Sequence, residues 1–175
     1  VTTNGQPVHK YSFDNTYVPP NRSQADPDMW SASLGPVRVG EDISSPDSAG
    51  SLYAIAQYGK PVFNVSSRSG NAIQFTNSSE SFTTIPDGDN PISWTITAWV
   101  KRTGDRTYSS ISSNHFGELK MEQWGSSHKV GFTRPGVADY SFNYSVPLNS
   151  WTHLALVSDG AAGVTTLYVN GASVD

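Results

Sequence analysis

The stretch "ELKMEQW", residues 118–124, carries the densest set of groups able to act on or hold a ligand. Glu118 and Glu122 are carboxylates four residues apart, Lys120 lies between them and Trp124 follows. As a strand, the stretch alternates its side chains, which sets Glu118, Lys120 and Glu122 on one polar face opposite Leu119 and Met121. The two carboxylates are then about 13 Å apart along the backbone, at a rise of ~3.3 Å per residue. Retaining glycoside hydrolysis needs carboxyl groups about 5–5.5 Å apart, and inverting hydrolysis about 6.5–9.5 Å. That spacing argues against acid–base catalysis by the pair, and solvated positions on a sheet face are the simpler reading. The four histidines, His9, His115, His128 and His153, are scattered with no pair at metal-ligand spacing, and no serine sits in a G-x-S-x-G turn. His153, inside "WTHLALV", reads as a packed, hydrogen-bonded histidine rather than a base. The chain is expected not to be an enzyme.

The same stretch suits sugar recognition better. A pyranose needs a flat apolar ring to stack on and nearby polar groups for its hydroxyls. Trp124 lies in the turn after the polar face, His115 in the turn before it, and Arg134 in the next turn. A glycan-binding rim of His115, Glu118, Lys120, Glu122, Trp124 and Arg134 follows. In "PDGDNP", Asp87, Asp89 and Asn90 place oxygens where a structural Ca²⁺ would bind; the same residues also serve as an ordinary turn. Trp30, in "DPDMWS", is suited either to anchoring its own segment or to meeting a ligand.

The elements that position these groups read as strands. "TITAWVK", residues 95–101, sets Ile96, Ala98 and Val100 against Thr95, Thr97, Trp99 and Lys101. "KVGFT" sets Val130 and Phe132 against Lys129 and Thr133, and "YSFNYSV" sets Tyr140, Phe142, Tyr144 and Val146 against Ser141, Asn143 and Ser145. Turn clusters such as "RTGDRT", "WGSSH" and "RPGVAD" separate them, and no window sustains an amphipathic helix. Strands at roughly ten-residue spacing predict an all-β, antiparallel two-sheet sandwich. Residues 16–50 are Pro-rich with few periodic runs, and predict an irregular arm or long loop within a single domain spanning 1–175.

Composition narrows the function classes. The 175 residues contain no cysteine, which removes disulfides and thiolate metal sites. Fifteen acidic residues against eleven basic ones give a formal charge of −4, and no basic cluster is present to track a phosphate backbone, so nucleic acid is not an expected partner. The longest clearly apolar run, Leu154 to Val157, is far short of the ~20 residues that span a bilayer as a helix, so membrane insertion is not expected either. Charged residues are only 15% of the chain while Ser, Thr, Asn and Gly abound, a balance that predicts an extracellular or surface-exposed protein. Four N-x-[ST] sequons, at Asn21, Asn64, Asn77 and Asn143, add little in a chain so rich in Ser and Thr.

The order "YSFDN", "GNAIQF", "WTITAWVK" and "WTHLALV…TTLYVNG" resembles the laminin-G-like and pentraxin-like branch of the concanavalin A-like jelly rolls, over residues 70–175 with a first strand at 8–15. The resemblance implies two curved antiparallel sheets packed face to face, and a glycan on the concave sheet or along its rim loops. It further implies that Trp94, Trp99 and Trp151 pack in the core, and that structural calcium is common among relatives. Hydrolases of this fold carry a pattern like E-x-D-x-x-E on one strand; here Lys120 stands where the Asp would be. A non-catalytic, carbohydrate-binding module is the leading expectation, with a structural or adhesive surface subunit as the alternative. The final "LYVNGASVD" shapes that alternative. Asn170-Gly171 predicts a type I′ hairpin turn, but the few returning residues make a short C-terminal edge. Family members run on through further strands, so the sheet edge beside "YSFDN" is expected to be completed by other protein chains, by a continuation of the polypeptide, or by the arm itself.

Overall fold

The computed structural model describes residues 2–3, 6–7, 44–46, 53–58, 62–76, 81–84, 92–105, 109–113, 117–124 and 127–175. All regular structure among them is β, and the chain divides into two compact units, residues 3–87 and residues 88–175, the second joined by residues 1–2. Strands β1 (Thr2–Thr3) and β2 (Gln6–Pro7) form a short ladder. In the first unit, β3 (Ser44–Pro46) pairs with β4 (Tyr53–Tyr58), a hairpin of β5 (Val62–Ser66) and β6 (Asn71–Gln74) follows, and β7 (Ser81–Thr84) returns to pair with β4. Strand β3 therefore arises inside the stretch read as irregular; the rest of residues 16–50, and all of 8–15, lie outside the described residues.

The second unit is a sandwich of two four-stranded antiparallel sheets. Its strands are β8 (Trp94–Lys101), β9 (Ser109–Ser113), β10 (Glu118–Glu122), β11 (Gly131–Arg134), β12 (Ala138–Ser141), β13 (Trp151–Asp159), β14 (Val164–Val169) and β15 (Ala172–Ser173). One sheet has the order β12-β11-β10-β9 and the other β15-β14-β13-β8. Period-two alternation turns Leu154 and Leu156 of β13 and Leu167 and Val169 of β14 inward, where they meet Leu119, Val130, Phe132, Phe142 and Val146 from the opposite side. Each such side chain, fully buried, contributes roughly 1.5–3 kcal/mol. This is the expected antiparallel sandwich.

Local chemistry fixes the details. Strand β12 stops at Ser141, yet Phe142, Tyr144 and Val146 keep the inward alternation, because Phe142 N–H donates to Val130 O and Val130 N–H to Tyr144 O, both at 2.8 Å. At the β14–β15 turn, Asn170 and Gly171 have φ of 50° and 88°, the left-handed pair that a type I′ turn demands. The Asn170 side chain accepts the His153 N–H at 3.0 Å, and the Asn170 N–H donates to His153 O at 2.9 Å, so the turn is clamped to β13. Beyond β15, Val174 N–H donates to Leu167 O at 2.9 Å and Leu167 N–H to Asp175 O at 2.7 Å. Residues 10–14, the expected neighbour of an open edge, lie outside the described residues.

One departure from alternation matters for function. Between β9 and β10 the register pairs Leu119 with Ser112, then Lys120 with Ser110, then Glu122 with Ser109. Ile111 and then Met121 are skipped, a bulge on each strand in succession. A bulge re-aims the side chains that follow it. Glu122 is accordingly fully buried, whereas Glu118 and Lys120 face outward and pair with each other at 3.2 Å. The three-residue polar face expected for "ELKME" is thus corrected to Glu118 and Lys120 alone.

Candidate functional site

The bulge delivers Glu122 to the end of β10, where it meets Arg102, the residue that follows β8. Arg102 Nη1 donates to Glu122 Oε1 at 2.6 Å, and both side chains are almost wholly removed from water. A carboxylate buried in this way persists because the charged hydrogen bond offsets its desolvation. His128 Nδ1 lies 2.9 Å from the same oxygen, and Asp105 Oδ1 lies 3.3 Å from Arg102 Nη1 and 3.9 Å from His128 Nδ1. His128 reaches this position from a left-handed backbone, φ 50°. Asn149 N–H donates to Arg102 O at 2.7 Å, tying a further loop to the cluster.

The ligand atoms of Asp105, Glu122 and His128 lie within 4.8 Å of one another, a spacing a metal ion accepts. The guanidinium decides against it. Arg102 Nη1 sits on the oxygens of both carboxylates and already supplies the positive charge, so a divalent cation there would face it at close range. The buried Nε of Arg102 has no hydrogen-bond partner, a cost this arrangement carries.

Around this cluster the β10–β11 turn is held in place. Gln123 N–H donates to Lys129 O at 2.8 Å, Ser127 N–H and Oγ both donate to Trp124 O at 3.0 and 3.1 Å, and Lys129 N–H donates to Ser127 Oγ at 3.2 Å. The Gln123 side chain lies over Gly131, whose missing Cβ makes room for it, and its Nε2 donates to Thr133 Oγ1 at 3.1 Å; Thr133 in turn donates to Asp139 at 2.6 Å. Trp124 projects from this fixed turn with 43% of its surface exposed.

The expected rim separates under this topology. Because β10 and β11 are antiparallel, with Glu118 opposite Thr133, the turn bearing Trp124 lies at one end of the strands and Arg134 at the other. Their separation exceeds the length of β10 itself, which is about 13 Å at strand rise from Glu118 to Glu122. Glu118 and Lys120 lie between, with Glu118 nearer Arg134, and Glu122 is inside. His115 lies outside the described residues, as do Asp87, Asp89, Asn90 and Trp30. The residues that the structure places at the Trp124 end are instead Asp105 and His128, whose side chains are 63% and 37% exposed. Nothing in their spacing announces this, since the bulge that gathers them leaves no mark on the sequence pattern.

The tryptophans divide as well. Trp94 packs on Phe132 with ring centroids 5.4 Å apart, whereas Trp151, also expected in the core, is half-buried on the outward parity of β13 opposite Lys101 and is not part of the core cluster. Trp99, expected in the core from the family resemblance, is 44% exposed on the outward face of its sheet and rests on His153 at 5.1 Å. Its own alternation with Thr97 and Lys101 was the signal that places it there. His153 is half-buried against that ring.

No curated protein and no solved structure shows a significant match to the chain. Residues 70–175, more than half of it, match the laminin G family model described as the concanavalin A-like lectin/glucanases superfamily. With that match, the antiparallel sandwich and the "YVNG" hairpin in agreement, the chain belongs to the laminin G-like family of the concanavalin A-like superfamily.

Proposed function

We propose that this chain is a carbohydrate-binding module whose glycan stacks on Trp124. Laminin G-like domains are in general non-catalytic binding modules. The observation that carries the sugar reading is the exposed indole of Trp124 on a turn already fixed by backbone bonds and by the contact of His128 with the buried Glu122–Arg102 pair. A turn whose backbone is held before binding loses little backbone freedom when a pyranose lands on the ring it carries. The exposed parts of Asp105 and His128 at the same end supply hydrogen-bonding groups for hydroxyls. Such domains are typically extracellular, no described helix is long and apolar enough to cross a membrane, and we place the work of this one outside the cell or on a particle surface. A glycan array identifies the ligand, and calorimetry then tests the site: Trp124→Ala is expected to lose roughly 1–3 kcal/mol of glycan affinity, the range of an interface hot spot. Unchanged affinity in a folded variant removes this site.

A second reading, a surface subunit that uses the sandwich for contacts with other chains, is favoured by β12. Among the described residues this strand pairs on one side only, and Tyr140 within it and Val137 just before it are 49% and 63% exposed. A mass measurement of the native particle separates the two readings, since a binding module needs no fixed partner.

A further inference from the structure

We propose that the outward face of β8 and β13 holds a second saccharide site, built on Trp99 and Lys101, that takes a uronate, a sugar ring bearing a carboxylate. The proposal rests on the carbohydrate-binding reading but uses a different surface from Trp124. Alternation fixes the face: Thr97, Trp99 and Lys101 of β8 point away from the core, and the register sets Trp99 opposite His153 and Lys101 opposite Trp151. Trp99 is therefore a large ring on a regular sheet, propped by His153 at 5.1 Å and still 44% open to solvent. An isolated exposed tryptophan needs no explanation. This one is accompanied by an exposed lysine two residues along the same face, about 6.6 Å away at strand rise.

Charge selects the ligand. The chain is acidic overall, yet the outward positions of β8, β13 and β14 around Trp99 hold no carboxylate. Asp159, the acidic residue on that face of β13, is six residues from His153, about 20 Å at strand rise, and its Oδ1 caps the next turn by accepting from Ala161 and Ala162. Asp105, the acidic residue nearest Lys101 in sequence, gives its carboxylate to Arg102. None of the salt bridges among the described residues takes up Lys101. A pyranose stacked on the indole carries the carboxyl group of a uronate in the plane of its ring, pointing along the sheet toward the ammonium. Lys is a compact point charge, suited to one carboxylate rather than to the forked recognition of a multiply sulfated chain.

The test is calorimetry of the full chain with tetramers of galacturonate, glucuronate and mannuronate, a size-matched neutral galactose tetramer and a sulfated galactose tetramer. At least one uronate is expected to bind, more weakly as salt is raised. Affinity is expected to fall on the order of tenfold in Trp99→Ala and to be lost in Lys101→Glu, while Trp124→Ala leaves it unchanged. Lys101 is exposed, so its variant is expected to keep the fold and remains informative even where Trp99→Ala does not. In the Trp124→Ala variant, equal binding of the neutral tetramer or preference for the sulfated one overturns the proposal, as does no binding of any uronate or indifference to Lys101→Glu. Neutral glycans that bind through Trp124 while every uronate fails would sink this site alone; a chain that binds no saccharide at all sinks the carbohydrate reading with it.

Discussion

The two sheets of the sandwich solve the same packing problem differently. Sheet β15-β14-β13-β8 is regular: eight consecutive pairs join β8 to β13, from Lys101 opposite Trp151 to Trp94 opposite Ser158, without a bulge. Its inward positions on β13 and β14 include Leu154, Leu156, Leu167 and Val169, and everything polar or aromatic on the alternate positions turns to the outer face. Sheet β12-β11-β10-β9 has successive bulges at Ile111 and Met121, and they admit a charge to the interior. An unbroken ladder sorts residues by parity, so its function is left on the surface. A broken one can place Glu122 inside with Arg102 and His128, and use that cluster to fix the turn that carries Trp124.

The contrast is sharpest in what each core tolerates. Glu122→Ala leaves the buried Arg102 with only its longer contact to the exposed Asp105 and is expected to cost about 3–5 kcal/mol by chemical denaturation. The double variant Glu122→Leu with Arg102→Met is expected to recover most of that loss, because apolar groups of similar volume need no charged partner. Failure of the double variant to recover would mean that the cluster contributes through geometry that no apolar pair can replace. In the regular sheet, Leu156→Ala is expected to cost about 2–5 kcal/mol through lost burial and a cavity, with no partner whose substitution repairs it. The smallest effect is expected at Gly131, where an added Cβ would overlap Oε1 and Cβ of Gln123. Gly131→Ala should lower stability by about 1–3 kcal/mol, as overpacking does, and should also loosen the β10–β11 turn. A slower exchange of the Gln123 amide hydrogen in that variant would contradict the link between the glycine and the turn.

Much of this was legible in the chain. "ELKME" coincides with β10 and "TITAWVK" falls within β8, because half-buried strands carry their period on their face. The Asn170-Gly171 turn was also readable, since few residue pairs accept two positive φ angles in succession. Trp99 is instructive: its parity with Thr97 and Lys101 placed it outside, whereas likeness to the family placed it in the core, and the local period was the better guide. The rim around Trp124 and Arg134 was drawn from nearness in sequence, which antiparallel pairing undid by sending alternate turns to opposite ends.

The sequence by itself determined the strands, their inward and outward faces, the hairpin turn and the family, because each is written in a local period or a backbone requirement of one or two residues. Tertiary structure alone decided that Glu122 is buried, that Arg102, Asp105 and His128 gather around it, and which ends of the strands the candidate ligand residues share. Those outcomes depend on register between strands and on a bulge, and a register is a relation between two segments that neither one specifies alone.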